Sequence, residues 1–224
     1  MTAVKLSLLS WFHPGDLAGP PLGEARRLAQ DRKIVRMLDD VSAAGFVAAV
    51  TTLAGVAEQG SDDVALFTVS AWDSSGALPD VADSDDRQGA LARTLSASGN
   101  PTEWLRTLCN AALCQSAISA KVHGPSAHFV GGAEVVPDML AMIGQTCVDG
   151  LAPVAVLVAF DAGPDGGPGR SAGIALAAAA ADADGPVLAV ARPQGERSAV
   201  DEIVLLIDQA TALDADRPIL LHLP

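Results

Sequence analysis

Apolar and polar positions fall into blocks along this chain, and the blocks switch between strand-like and helix-like spacing. Val4–Ser10 is a short apolar stretch that predicts a first strand. His13 to Gly23 holds three prolines and three glycines, which predicts an irregular crossing of the surface. A basic helix is expected from about Glu24 to Leu38. Asp39, Asp40 or Ser42 can cap a second helix, Ala43 to Gln59, whose Phe46, Val47, Val50, Leu53 and Val56 mark one buried face. Gly60-Ser61-Asp62-Asp63 stops it. Val64–Ser70 (VALFTVS) is a continuous apolar run, the pattern of a central strand covered on both sides.

Asp73 to Asp86 is polar, acidic and turn-rich, and it leads into a helix at Arg87–Ala97. Asn100-Pro101-Thr102 caps a short helix, Glu103 to Leu108. An apolar helix then begins at Asn110 and runs to the turn His123-Gly124-Pro125-Ser126. A strand, Ala127–Val130, feeds into Gly131-Gly132-Ala133, a further helix, and the apolar strand Val154–Phe160. Beyond a Gly/Pro loop (GPDGGPGR) the pattern predicts strands at Ala172–Ala180 and Pro186–Ala191, a helix at Ala199–Ala212 and a closing strand at Pro218–Leu223. Strands alternating with helices predict an α/β fold with a mainly parallel central sheet.

Composition narrows this picture. The 224 residues are 50% hydrophobic, enough for a real core, and they are read as one domain over 1–224. Mean hydropathy is high, +0.32, largely through alanine. No apolar stretch approaches the ~20 residues of a membrane span, so none is expected. The opening MTAVKLSLLSWF reads as a strand rather than a signal peptide. Tyrosine is absent, so aliphatic side chains must fill the core.

A net charge of −13 argues against nucleic-acid binding. Acidic residues concentrate after residue 60, whereas Arg26, Arg27, Arg32, Lys33 and Arg36 form a single basic cluster. That cluster suits an acidic partner, against the plainer reading of a solvated helix face. Cys109, Cys114 and Cys147 are an odd set without metal spacing, and they point to reduced, packed thiols in a cytoplasmic protein. His13, His123, His128 and His222 show no third ligand, so no metal is expected.

Several chemistries can be weighed on these residues. Ser126 and His128 share one strand face but lack the G-x-S-x-G elbow of a hydrolase. The Gly/Pro loop has no Lys-Ser/Thr and is not a phosphate-binding loop. Cys109 or Cys114 could serve an acyl-thioester transferase or thioesterase only if His123 or His128 folds back onto one of them. The strand-to-helix elbow is a good place for a nucleophile, because helix amides lower a thiol's pKa and supply an oxyanion hole. Gly131, Gly132 and Ala133 meet the demand for small residues near an acyl group, but none can attack a thioester. Glu134 comes next as a helix-start acid or as a polar group in a partner interface.

The order helix, Gly124-Pro125-Ser126 turn, strand, small-residue elbow, helix and strand resembles the active-site segment of the β-ketoacyl synthases of the thiolase superfamily. Asn110-Ala111-Ala112 matches the Asn-x-Ala before the active site, and ARRLAQDRKIVRMLDD with VALFTVSAWDSSG looks like the first long helices and second strand. More closely, the chain is similar to the short β-ketoacyl synthase-like N-terminal-domain proteins encoded beside aryl-polyene-type polyketide enzymes. The resemblance implies a thiolase-like half-domain with helices on both faces of the sheet. It implies that Ala133, or Gly132 if the register slips by one, stands where the family has its cysteine. After Ala191 the only histidine is His222, so the second half's catalytic set is missing too.

The same resemblance implies a non-catalytic subunit, similar to a chain length factor, that needs no cofactor. It would pair with a full-length β-ketoacyl synthase in polyketide- or fatty-acid-type chain elongation. The partner interface and acyl tunnel would draw on Ser126, His128, Gly132, Ala133, Glu134, Val135, Leu140 and Ile143. Arg26, Arg27, Arg32, Lys33 and Arg36 would meet an acyl carrier protein, which also leaves open a role as a carrier-binding scaffold. A lone half-domain would expose apolar sheet unless a partner or the segment Ala199–Pro224 covers it.

Overall fold

Apolar runs without polar alternation must be buried on both sides, and the strands Val64–Ser70 and Val154–Asp161 are. A computed structural model describes residues 5–56, 63–71, 85–98, 106, 108–180, 182–190, 192–193, 195–213 and 219–222. Its strands are β1 (Lys5–Phe12), β2 (Val64–Ser70), β3 (Ser126–Val130), β4 (Val154–Asp161), β5 (Arg170–Ala178), β6 (Val187–Ala189) and β7 (Ile219–His222). Its α-helices are α1 (Pro21–Leu28), α2 (Arg32–Val35), α3 (Asp40–Ala54), α4 (Arg87–Ser98), α5 (Ala111–Ala120), α6 (Val136–Val148) and α7 (Ala199–Ala212). The strands form one sheet in the order β3-β2-β4-β5-β1-β7-β6.

Alternation along each strand divides the core in two. Ala65, Phe67 and Val69 of β2, with Ala155, Leu157 and Ala159 of β4, face α6 and α7. Val64 and Leu66 of β2, with Val154, Val156, Val158 and Phe160 of β4, face α1, α2, α3 and α5. The α/β class with helices on both faces is therefore present. The sheet, however, is mixed rather than mainly parallel. β2 runs parallel to β3 and β4, and β6 to β7, while β4–β5, β5–β1 and β1–β7 are antiparallel. The physical reason lies in the Gly/Pro loop: it is too short for the crossover that a parallel β4–β5 pair needs.

Local signals shift several boundaries. The basic segment is two helices, because Ala29 is extended and the Asp31 side chain caps α2 by accepting from Lys33 N at 2.8 Å. α3 begins a turn earlier than expected, where Asp39 Oδ1 accepts from Ser42 N at 2.6 Å. It is buried nearly all round, not on one face, because the sheet, α1 and α5 all pack against it. Strand β1 runs two residues further, to Phe12. Most of the expected helix Glu103–Leu108 and most of the loop Asp73–Asp86 lie outside the described residues.

Close approach explains the small residues of α3. Ser171 Oγ donates to the Ala44 carbonyl at 2.8 Å. A Cβ on Gly45 would sit 2.6 Å from the Phe160 ring. The turn before β3 is equally tight: a Cβ on Gly124 would run into the Val64 carbonyl, and Leu66 N donates to the Pro125 carbonyl at 3.0 Å.

The C-terminal segment folds back over the second sheet face. Val200, Ile203, Leu206, Ile207 and Ala210 of α7 join Leu140 and Ile143 of α6 in one buried cluster. The chain thus covers with its own helix the surface that the sequence left open. Gly45→Ala is expected to destabilise the fold by about 1–3 kcal/mol through overpacking against Phe160. Urea unfolding of the two proteins checks this.

Candidate functional site

The elbow forms where β3, β2 and β4 end together. Gly131 N donates to the Ser70 carbonyl at 3.0 Å, which carries the β3–β2 ladder one residue further. Gly132 N donates to Glu134 Oε1 at 2.9 Å. Ala133 N donates to the Arg197 carbonyl at 3.0 Å, from the turn ahead of α7. A single 3-10 turn, Ala133–Val135, then leads into α6. Strand, small residues and helix are thus arranged as in a nucleophile elbow, and Ala133, 1% exposed, opens the helical turn.

The chemistry of that position is fixed by its amides. An oxyanion hole needs backbone N–H groups aimed at an incoming oxygen. Here Gly131, Gly132 and Ala133 each donate to an acceptor of the same chain. The small residues also have an internal cause. A Cβ on Gly132 would lie 2.8 Å from the Arg197 carbonyl and 2.8 Å from Glu134 Oε2, and one on Gly131 would lie 2.7 Å from Val135 Cγ1. They make room for this chain's own atoms, not for an acyl group as the sequence suggested.

The other expected site residues separate into groups. Ser126 is exposed on β3 and its hydroxyl donates to the Gly124 carbonyl at 3.2 Å. His128 lies beside Thr68, with Nδ1 2.8 Å from Thr68 Oγ1 and its ring 5.9 Å from that of Phe160. Burial pulls its pKa down and favours the neutral ring. Glu134 is exposed and acts as the helix-start acid, while Val135 is half-buried. Leu140 and Ile143 are corrections: both are wholly buried against this chain's own sheet, which removes them from any partner surface or tunnel wall.

The thiols also differ from expectation. Cys114 is exposed on α5 rather than packed, and Cys109 precedes that helix half-buried. Neither bonds to a histidine among the described residues; His123 is exposed beyond the far end of α5. Cys147 is core, and burial raises its pKa and keeps it a thiol. Among the described residues, no thiol stands at the start of α6. Arg26, Arg27, Arg32, Lys33 and Arg36 are all exposed across α1 and α2, with Arg27 Nε 2.9 Å from Glu24 Oε2. Arg106 joins them by donating from Nε to the Arg36 carbonyl at 2.7 Å. Among the described residues, no three Cys, His, Asp or Glu side chains gather as a metal site, and no helix is long and apolar enough to cross a membrane.

One cluster was missed in the sequence. Asp161 ends β4 and is 5% exposed. Its Oδ1 accepts from Ala71 N at 2.6 Å and so pins the exit of β2 beside the elbow. Its register partner Arg170 reaches α7, with Nη1 2.7 Å from Asp201 Oδ1 and Nη2 2.9 Å from Asp201 Oδ2. That pairing raises the pKa of Arg170 and lowers that of Asp201. The available signal was an acid directly after an apolar strand, VAVLVAFD, but its partners are far away in sequence.

Burial is the main cause that raises the Asp161 pKa, from 3.8 to about 6; the Ala71 amide and Arg170 oppose it, and Asp201 adds to it. The folded chain then holds this proton more tightly than the unfolded chain does. Stability should rise as pH falls through about 6, with the gain complete below the unfolded value near 3.8. Asp161→Asn keeps the acceptor for Ala71 and removes the titration. Between about pH 7.5 and 5 the wild type should gain on the order of 1–1.5 kcal/mol relative to this variant in urea unfolding.

Comparison with solved structures places this geometry in a known fold. A type II polyketide synthase acyl-carrier protein in complex with its ketosynthase (AntDE:AntF) matches with a TM-score of 0.54 at 13% identity, over 79% of this chain and 64% of that one. Ketosynthase twelve of the bacillaene polyketide synthase from Bacillus amyloliquefaciens matches with a TM-score of 0.51 at 10% identity, over 78% of this chain and 41% of that one. The ishigamide ketosynthase/chain length factor gives a TM-score of 0.48 at 14% identity, over 82% of this chain and 63% of that one. The chain therefore spans less than two thirds of each of these structures. No family model and no curated protein matches it. At such identities the likeness is one of architecture: the chain has the thiolase-like fold of the ketosynthases.

Proposed function

We propose that this chain is a non-catalytic, ketosynthase-like subunit that pairs with an active β-ketoacyl synthase in polyketide-type chain elongation. Its role would be that of a chain length factor, in systems of the aryl-polyene type. The observation that carries this reading is the elbow. Ala133 stands at the nucleophile place, and the three elbow amides already have acceptors within the chain. Such an elbow has a ketosynthase's shape and neither the attacking sulfur nor a free oxyanion donor.

Pairing is supported by the edge of the sheet. β3 is the terminal strand beside β2, and its outer edge has no partner among the described residues. Its sequence, SAHFV, carries no Lys, Glu or Pro, and Val130 is exposed. Unprotected edges of this kind invite a further strand, and the strand carries none of the usual side chains that block one. The contact surface we propose is Ser126, His128 and Val130, with Glu134 and Val135 at the rim; buried Leu140 and Ile143 no longer belong to it. The exposed basic stretch Arg26–Arg36 suits an acidic carrier protein.

Co-expression with a ketosynthase should give a heterodimer on size exclusion, with condensation activity that depends on both chains. Val130→Lys places a charge at an exposed position of β3, so the isolated chain should keep its unfolding midpoint while the heterodimer is lost. A heterodimer that survives this change would rule out β3 as the contact. Arg32→Glu with Lys33→Glu is expected to weaken carrier binding by roughly tenfold and leave the heterodimer intact; titration of carrier protein at low salt measures it.

A further inference from the structure

The turn ahead of α7 is held from several sides. Arg170 Nη2 donates to Ser198 Oγ at 2.7 Å, in addition to its paired bonds with Asp201. Ser198 Oγ donates to Asp201 Oδ2 at 2.8 Å and accepts from Asp201 N at 3.1 Å, which caps the helix. Arg197 itself lies 3.3 Å from Glu202, and Arg192 lies 3.3 Å from Asp138 in the first turn of α6. Between these anchors the backbone carbonyl of Arg197 points at the elbow and takes the Ala133 amide. Upstream, Gly195 takes φ +81°, a left-handed conformation that a glycine adopts without strain.

We propose that this turn is an intramolecular stopper for the elbow, with Arg170 as the residue that positions it. The Arg197 carbonyl oxygen occupies the place at the Ala133 amide where the oxygen of an acyl group would be received. Arg170 acts through Ser198 and Asp201 and never touches the elbow itself. The stopper is a second barrier beside the missing sulfur, and removing it would return a backbone donor to solvent or to a partner-bound acyl carbonyl. The proposal rests on reading residues 131–133 as the former nucleophile elbow.

Two unrelated substitutions loosen the stopper. Arg170→Gln removes the charged anchor. Gly132→Ala puts a methyl group where the Arg197 carbonyl now sits, 2.8 Å away, so that carbonyl must shift. Amide hydrogen exchange by NMR on the full chain reads the result. Protection at Ala133 should fall roughly tenfold or more in each variant, the scale of losing one backbone hydrogen bond. Protection at Val156 and Val158, deep in β4, should change far less. Unchanged protection at Ala133 in both variants overturns the proposal. So does an equal fall at all three positions, which is loss of fold.

A thiol introduced by Ala133→Cys gives a second readout that does not need NMR. With iodoacetamide it should react slowly, and Arg170→Gln or Gly132→Ala in the same chain should speed it selectively. Buried Cys147 is an internal clock for general opening. If the new thiol already reacts like exposed Cys114, or speeds up only together with Cys147, there is no stopper. Size exclusion of the wild-type chain with a ketosynthase reads pairing separately, so failure of one reading leaves the other standing.

Discussion

A sheet with aliphatic side chains on both faces has to be covered twice, and that requirement shapes everything else in this chain. α1, α2, α3 and α5 cover one face. The second face is closed by α6 and α7, with Leu140, Ile143, Ile203 and Ile207 wholly buried between helix and sheet. Each such side chain is worth about 1.5–3 kcal/mol, so together they outweigh any single hydrogen bond of about 1 kcal/mol. The helix goes where apolar burial sends it. Its leading turn then falls beside the elbow, and the amide of Ala133 finds an acceptor there. Coverage and closure of the site are one event.

The polar cluster at the ends of β4 and β5 obeys the same geometry. Arg170 is the partner of Asp161 across the β4–β5 hairpin and the anchor of α7 through Asp201 and Ser198. One guanidinium thus links the sheet to the helix that covers it. Asp161 sits under that arrangement, buried and holding the Ala71 amide. Burial raises its pKa to about 6, and the Ala71 amide and the neighbouring cation offset that rise only in part.

The fold was legible where burial was complete. Val64–Ser70 and Val154–Phe160 show unbroken apolar runs, and both are strands. The elbow was legible because strand, two glycines and helix succeed each other directly. Strand direction was less so, since the short loop after Ala162 carried the information and not the strands. The apolar character of Leu140 and Ile143 was plain, but which surface they meet depends on α7, far away in the chain. Asp161, Arg170 and Asp201 are separate in sequence and meet only through the hairpin and the returning helix, so no local pattern announces them. Cys114 and Cys147 look alike in composition, and only helix phase tells the exposed thiol from the buried one.

The outer edge of β3, unpaired among the described residues, has a consequence for the isolated chain. Hydrogen-bonding groups along SAHFV can template a second molecule of the same kind as readily as a different one. The net charge of −13 opposes such pairing, a repulsion that ions screen beyond a Debye length of about 8–10 Å. Solubility of the isolated chain is therefore a contest between charge repulsion and short-range ladder formation. Raising ionic strength tips that contest toward association.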